Sequence, residues 1–124
     1  ESDAASVPLW GTGLQRREFV YSDDLAAAVT TVLDGYDGDR PLNVGAGDDL
    51  SIAEVAQTIS STIGYIGELH WETDRPEGPS RRLLDSSRLR ALGWAPQVGF
   101  ADGGAAVRDW LKTALPAAEV RGWG

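Results

Sequence analysis

Apolar residues recur along this chain at two spacings, and those spacings divide it into strands and helices. Val7 to Trp10 and Arg17 to Tyr21 are alternating or β-prone, with Gly11-Thr12-Gly13 between them, which predicts two strands joined by a tight connection. From Leu25 the spacing lengthens. Leu25, Val29, Val32, Leu33 and Tyr36 share one face of a helix that Ser22 or Asp23 can cap and that Gly35 and Gly38 end. Pro41-Leu42-Asn43-Val44 reads as a short strand closed by Gly45-Ala46-Gly47. Ser51-Ile52-Ala53-Glu54 is a capping box for a helix with Ile52, Val55, Ile59 and Ile63 as its buried stripe and Gly64 as its stop. Glu68 to Glu72 predicts another strand, and Pro76, Gly78 and Pro79 keep the segment from Asp74 to Ser80 in a loop. Asp85 or Ser86 caps a short helix through Leu92, with Gly93 placed to end it in the left-handed conformation. A last helix carries Val107, Trp110, Leu111 and Ala114 toward the core, with Pro116 close behind it. No internal repeat or low-complexity tract interrupts this order, and residues 1–5 and 117–124 are expected to fray.

Short strands alternating with helices predict a single α/β (α+β) domain over residues 1–124, a small mixed sheet with packed helices. At 124 residues there is room for one domain and a real core without disulfides or metal. The strands are too few for a free-standing doubly wound fold, which suggests an accessory lobe of something larger. The chain has no apolar run near the ~20 residues of a membrane span, and its acidic start lacks the order of a signal peptide, so a cytoplasmic location is expected. Cysteine is absent, which removes disulfides, thiol nucleophiles and thiolate metal sites together.

Charge narrows the partners. A net charge of −8 and a pI near 4.4 repel nucleic acid phosphates and anionic membranes, so neither is an expected partner, and any bound anion must be held locally. The basic residues are ten Arg against one Lys, bunched as Arg16 and Arg17, then Arg75, Arg81, Arg82, Arg88 and Arg90. A guanidinium fork grips phosphate oxygens in pairs, which ammonium does not. The alternative is that these Arg balance neighbouring acids such as Glu18, Glu77 and Asp85 at the surface.

Several familiar chemistries fail on detail. The segment from Asn43 to Leu50 sits where a dinucleotide loop would lie, but its last position is Leu50 rather than Gly or Ala, and Asp48 and Asp49 would repel a pyrophosphate. Hydride-transfer sites built on tyrosine need a Lys four residues on, and Tyr21, Tyr36 and Tyr65 have Leu25, Arg40 and Leu69 there. His70 has no second imidazole, which favours a structural role over a metal or triad role. Asp23-Asp24 could be a metal pair, although a helix start already explains two acids. Two loops remain, Trp10 to Phe19 and Pro76 to Asp85. Each sets Gly, which admits a ligand close to backbone, beside Arg and a stacking or hydrogen-bonding group. Together they make an anion site suited to a diphosphate flanked by a base and a sugar.

In the order and spacing of Trp10-Gly11-Thr12-Gly13, Arg17-Glu18-Phe19, Asp23-Asp24-Leu25-Ala26, Asn43-Val44-Gly45, Ser51-Ile52, Arg82-Leu83-Leu84-Asp85 and Leu92-Gly93-Trp94, the chain resembles the C-terminal, substrate-binding part of GDP-L-fucose synthases. These are NADP-dependent 3,5-epimerase/4-reductases of the extended short-chain dehydrogenase/reductase family, and the resemblance runs from Val7 to about Leu115. It implies that Trp10 and Arg17 contact substrate, with Arg17 on the diphosphate of the GDP-sugar. It implies further that Glu77 takes the place of the family's substrate-binding Asp, and that Arg82 stands where the family usually has Lys on phosphate. Gln15 replaces a frequent Pro, and Pro79-Ser80 replaces the usual Thr-Pro. The family's NADP loop, its Ser and Tyr-Lys and its epimerising Cys and His belong to a preceding Rossmann lobe. The chain alone is therefore expected to bind no cofactor and to be non-catalytic, with NADP held by the full-length enzyme. The rival expectations are a non-catalytic interaction domain that docks on a separate Rossmann partner, and a lobe of another nucleotide-sugar epimerase or dehydratase.

Overall fold

In the computed structural model, which describes residues 4–114, the elements in chain order are β1 (Ser6–Trp10), β2 (Arg16–Arg17), α1 (Ser22–Gly35), β3 (Leu50–Ser51), α2 (Ile52–Ile63), β4 (Glu68–Glu72), β5 (Arg81–Arg82), α3 (Ser87–Ala91) and α4 (Phe100–Ala114). The α/β character is as expected, with the strands divided between two small sheets. Pro116 and the frayed end expected at 117–124 lie outside the described residues, as do residues 1–3. Ala4 and Ala5 are tied down rather than frayed. The Tyr65 hydroxyl donates to the Ala4 carbonyl at 3.1 Å, and the Glu68 N–H donates to the Ala5 carbonyl at 3.0 Å.

The first expected pair of strands does not form a hairpin. β1 lies parallel to β4, with Val7 opposite Leu69 and Leu9 opposite Trp71, so the more buried residues of both strands share a face. β2 sits in the other sheet, antiparallel to β3 and parallel to β5. The chain leaves β1 through Gly11 and Gly13, whose φ angles of 82° and 75° turn it away from a hairpin. It is then caught by the start of α2, where the Ile52 and Ala53 N–H groups donate to the Gln15 and Gly13 carbonyls at 2.9 Å each. Beyond Arg17 the predicted second strand continues without a ladder.

Helix α2 follows its local signals closely. The Ser51 hydroxyl accepts from the Glu54 N–H at 3.1 Å, the Glu54 carboxylate accepts from the Ser51 N–H at 2.7 Å, and Gly64 ends the helix in the left-handed region. Helix α1 does not use the expected cap. Its N-cap is Tyr21, without a side-chain cap bond, and Ser22 and Asp23 lie inside the first turn. At α3 the division is different again: Ser86 is the N-cap residue, but the Asp85 carboxylate accepts the Ser87 N–H at 2.9 Å.

The segment from Pro41 to Val44 is not a strand, because side chains rather than a neighbouring strand bond it on both sides. Arg88 donates to the Pro41 carbonyl, the Asn43 amide donates to the Asp85 carbonyl, and Ser86 donates to the Gly45 carbonyl, at 3.0, 3.1 and 3.2 Å. This pins Leu42 and Val44 against a core formed by Ala28, Leu89 and Trp94, with Val32 and Leu92 also packed on it. The Trp94 indole N–H reaches the Asp24 carbonyl at 3.0 Å and locks α1 to the segment after α3.

Several predicted core positions are exposed instead. Leu25, Val29 and Leu33 of α1, Ile59 and Ile63 of α2, and Val107, Trp110 and Leu111 of α4 are all exposed, Leu33 by 80%. α1 turns its small residue Ala28, together with Val32, to the core, so the wider apolar stripe is only partly covered. No helix among the described residues is long and apolar enough to cross a membrane.

Candidate functional site

Two Arg-Arg dipeptides, distant in sequence, lie side by side. Arg16 is the register partner of Arg81 and Arg17 that of Arg82 in the parallel pairing of β2 with β5. Four cations on adjacent strands would repel one another, and the alternation of a strand resolves this by separating them onto two faces. On one face the buried Asp49 carboxylate accepts from Arg16 Nε at 2.6 Å and from Arg81 Nε, while Arg16 Nη2 donates to the Asp49 carbonyl at 2.6 Å. Glu54 adds a weaker contact to Arg16 at 3.6 Å. Arg17 and Arg82 fall on the other face and form no ion pair among the described residues.

Of these two cations, Arg17 is held against the second of the two loops singled out from sequence. Arg17 Nη1 donates to the carbonyls of Arg16 and Pro79 at 2.7 and 2.8 Å, and the Arg16 N–H donates to the Ser80 carbonyl at 2.8 Å. A few residues earlier the Glu77 carboxylate accepts the Thr12 N–H. That contact depends on Gly11, since a Cβ there would sit 2.8 Å from Glu77 Oε1. The loop from Glu77 to Ser80 therefore stitches the turn after Trp10 to Arg17, which brings together the surroundings of Trp10, Arg17, Glu77 and Arg82. Trp10 is two-thirds exposed at the end of β1 and Arg82 is exposed on β5. Of the four, only Arg17 also lines the adjacent cleft of about 310 Å³, with Phe19, Asp48, Leu50, Gln97 and Phe100 among its walls.

The acids expected to balance the Arg clusters do other work. Glu18 accepts the N–H groups of Gly47 and Leu84 at 2.8 and 3.1 Å, Glu77 holds Thr12, and Asp85 caps α3. Asp49, read from sequence as a charge that would repel pyrophosphate, is turned into the Arg16–Arg81 clamp, and Asp48 lines the cleft. Asp24 is buried and accepts the Gln97 and Val98 N–H groups at 3.0 and 2.9 Å, a structural tie rather than half of a metal pair. No cluster of three potential metal ligands occurs among the described residues. Asp49, Glu18 and Asp24 were missed as organisers of the site. Their partners lie far along the chain, and only the duplicated Arg-Arg pair offered a hint.

The clamp carries a pH dependence. Hydrogen bonds from Arg81 and Arg16 hold the Asp49 carboxyl below the usual carboxylate range, and the hydroxyl and N–H of Thr12, with Gln15, do the same for Glu77. A carboxyl whose pKa is depressed on folding contributes stability that is fully present above its unfolded value and is lost as pH falls through the lower folded value. The urea midpoint is therefore expected to hold steady above about pH 5 and to drop below about pH 4. Asp49→Asn should start lower at pH 7 and decline less steeply in acid. Parallel acid limbs in the two proteins would show that Asp49 does not titrate in this way.

Comparison with known proteins gives the arrangement relatives. Residues 1–45 match the model of the NAD dependent epimerase/dehydratase family. The chain is 42% identical to GDP-L-fucose synthase 1 of Arabidopsis thaliana over 107 residues, 86% of this chain and 33% of that protein. It is 37% identical over 118 residues to the GDP-L-fucose synthase of Escherichia coli strain K12, covering 88% of this chain and 37% of the relative. A GDP-mannoheptose C4 reductase from Campylobacter jejuni, solved with NADP bound, superimposes with a TM-score of 0.78 at 36% identity, over 86% of this chain and 35% of that one. The chain thus spans about a third of the length of the relatives it matches. In sequence it is similar to part of the GDP-L-fucose synthases, and in backbone it has the fold of part of the extended short-chain dehydrogenase/reductases.

Proposed function

We propose that this chain is the substrate-binding lobe of a GDP-L-fucose synthase-like, NADP-dependent epimerase/reductase, and that it holds the diphosphate of a GDP-sugar with Arg17 and Arg82. One observation carries the reading: register pairing commits Arg16 and Arg81 to Asp49 while leaving Arg17 and Arg82 without an acid among the described residues, next to the loop that carries Glu77. In a chain of net charge −8, two adjacent Arg with no ion pair among the described residues are a local exception to the field and suit a small anion. The carbonyls of Arg16 and Pro79 fix one edge of the Arg17 guanidinium, so its remaining N–H groups are oriented before ligand arrives. Trp10 offers an exposed aromatic face for a base, and Glu77 keeps acceptor capacity for a hydroxyl beyond its bond to Thr12.

Relatives of this chain are named as acting on GDP-sugars, and one is solved with NADP. Cofactor binding and chemistry are assigned in this reading to the part of the enzyme that the chain does not span, a Rossmann lobe. The exposed apolar residues of α1 and α4 would suit such a neighbour. The role of this chain is then positional, holding the nucleotide so that the hexose meets the reacting groups in one orientation. Titration of the 124-residue chain with GDP is expected to shift the amide signals around Trp10, Arg17 and Glu77 at millimolar concentration, because only part of the pocket is supplied. Unmoved signals at those residues would sink the assignment of nucleotide recognition to this lobe. Equal response to diphosphates of other bases would place the parent enzyme among other nucleotide-sugar epimerases or dehydratases.

A further inference from the structure

We infer that Arg75 is a positioning residue for Trp10, and that the two side chains form a prearranged ledge on which a nucleobase stacks. The inference rests on the nucleotide reading above and adds a residue to it. Trp10 is the last residue of β1 and the register partner of Glu72, the last residue of β4. At Glu72 the chain turns tightly, with the Arg75 N–H donating to the Glu72 carbonyl at 3.2 Å, and the same carbonyl accepts the Gly11 N–H at 2.9 Å. The backbone just after Trp10 and that of Arg75 are thus fixed to one carbonyl group.

The side chains repeat that arrangement. Arg75 Nε donates to the Glu72 carboxylate at 3.0 Å, and the guanidinium carbon then lies 5.2 Å from the centre of the Trp10 ring. That is within the distance at which a guanidinium and an indole attract. An exposed Trp without such a neighbour would populate several rotamers, and each rotamer lost on binding would weaken the complex. With one side of the indole occupied by Arg75, the opposite side remains for a flat ring. A purine fits that description, and stacking is the interaction every base offers. The positive charge of Arg75 is engaged by Glu72, so Arg75 serves the base end of the ligand while Arg17 and Arg82 serve its phosphates.

The test follows two readouts in the 124-residue chain. The indole N–H signal of Trp10 is recorded without ligand, and affinities for GDP and for inorganic pyrophosphate are measured side by side. Arg75→Ala and Glu72→Gln are both expected to shift or broaden the Trp10 indole signal and to weaken GDP binding about three- to fivefold, while pyrophosphate affinity stays within about twofold. Arg17→Ala, in contrast, should weaken both ligands. An unchanged indole signal in Arg75→Ala overturns the positioning role whatever the ligand does. Equal losses for GDP and pyrophosphate would make Arg75 a phosphate contact and overturn the ledge. Absence of GDP binding to the unsubstituted chain would refute the nucleotide reading itself, a separate outcome from either of these.

Discussion

Replacement of Arg17 by Ala is expected to weaken GDP binding by about ten- to a hundredfold, the loss of one charge-assisted hydrogen-bonding group worth ~1.5–3 kcal/mol. The size follows from its surroundings. Arg17 is half-buried, lines the cleft, and is oriented by two carbonyls, so its fork is prepared for a phosphate with little rotamer entropy left to lose. Arg82 is exposed on a two-residue strand and has no such preparation, so Arg82→Ala should cost about three- to tenfold. Arg17→Lys keeps charge without the fork and should fall between wild type and Arg17→Ala. The sharpest contrast lies one residue away. Arg16→Ala leaves the buried Asp49 carboxylate with one partner fewer, so its main effect should be on the urea midpoint, with GDP affinity of the folded protein little changed. Calorimetric titration at low salt with each variant, paired with urea unfolding, separates the two kinds of Arg. If Arg16→Ala lost GDP as strongly as Arg17→Ala while remaining folded, the division of the Arg pairs by strand face would be wrong.

What could be read from the sequence was local. The capping box from Ser51 to Glu54, the stop at Gly64 and the strand from Glu68 to Glu72 involve residues a few positions apart, and the structure reproduces them. The strands β2, β3 and β5 were not foreseen as a sheet, because each has two residues and no alternation to read. For the same reason the pairing of the two Arg-Arg dipeptides was invisible. Asp49 lies 33 residues from Arg16 and 32 from Arg81, and nothing at Asp48-Asp49 reveals which acid is clamped. The resemblance to a family singled out Trp10, Arg17, Glu77 and Arg82, and the structure brings the loops that carry them together. It gives Glu77 a structural bond to Thr12 that no spacing rule shows. The misplaced core positions have a simpler cause. A hydrophobic stripe records which face of a helix is apolar, not whether anything covers it.

Leu89→Ala tests that distinction most directly and is expected to cost about 2–5 kcal/mol of stability. Among the described residues Leu89 is the one large side chain that is fully buried, and it fills the space between Ala28 of α1, Trp94 after α3, and the pinned residues Leu42 and Val44. Truncation leaves a cavity that the neighbours cannot readily close, because Trp94 is held by its bond to the Asp24 carbonyl and the 41–45 segment by three side chains. Small domains are stable by about 5–15 kcal/mol, and one whose buried core among the described residues is Ala28, Leu89 and Trp94 with partly covered neighbours belongs toward the lower end. Leu89→Ala should therefore shift the urea midpoint strongly and leave a measurable unfolded fraction without denaturant. Leu33 occupies an equally good position on a sequence stripe, yet it is 80% exposed, so Leu33→Ala should change stability by no more than about 0.5 kcal/mol. The comparison decides what the stripe of α1 is for. Equal costs would mean that a second molecule covers the outer face of α1 in solution, whereas a large cost at Leu89 alone places the folding core between α1 and α3, with the outer face of α1 outside it.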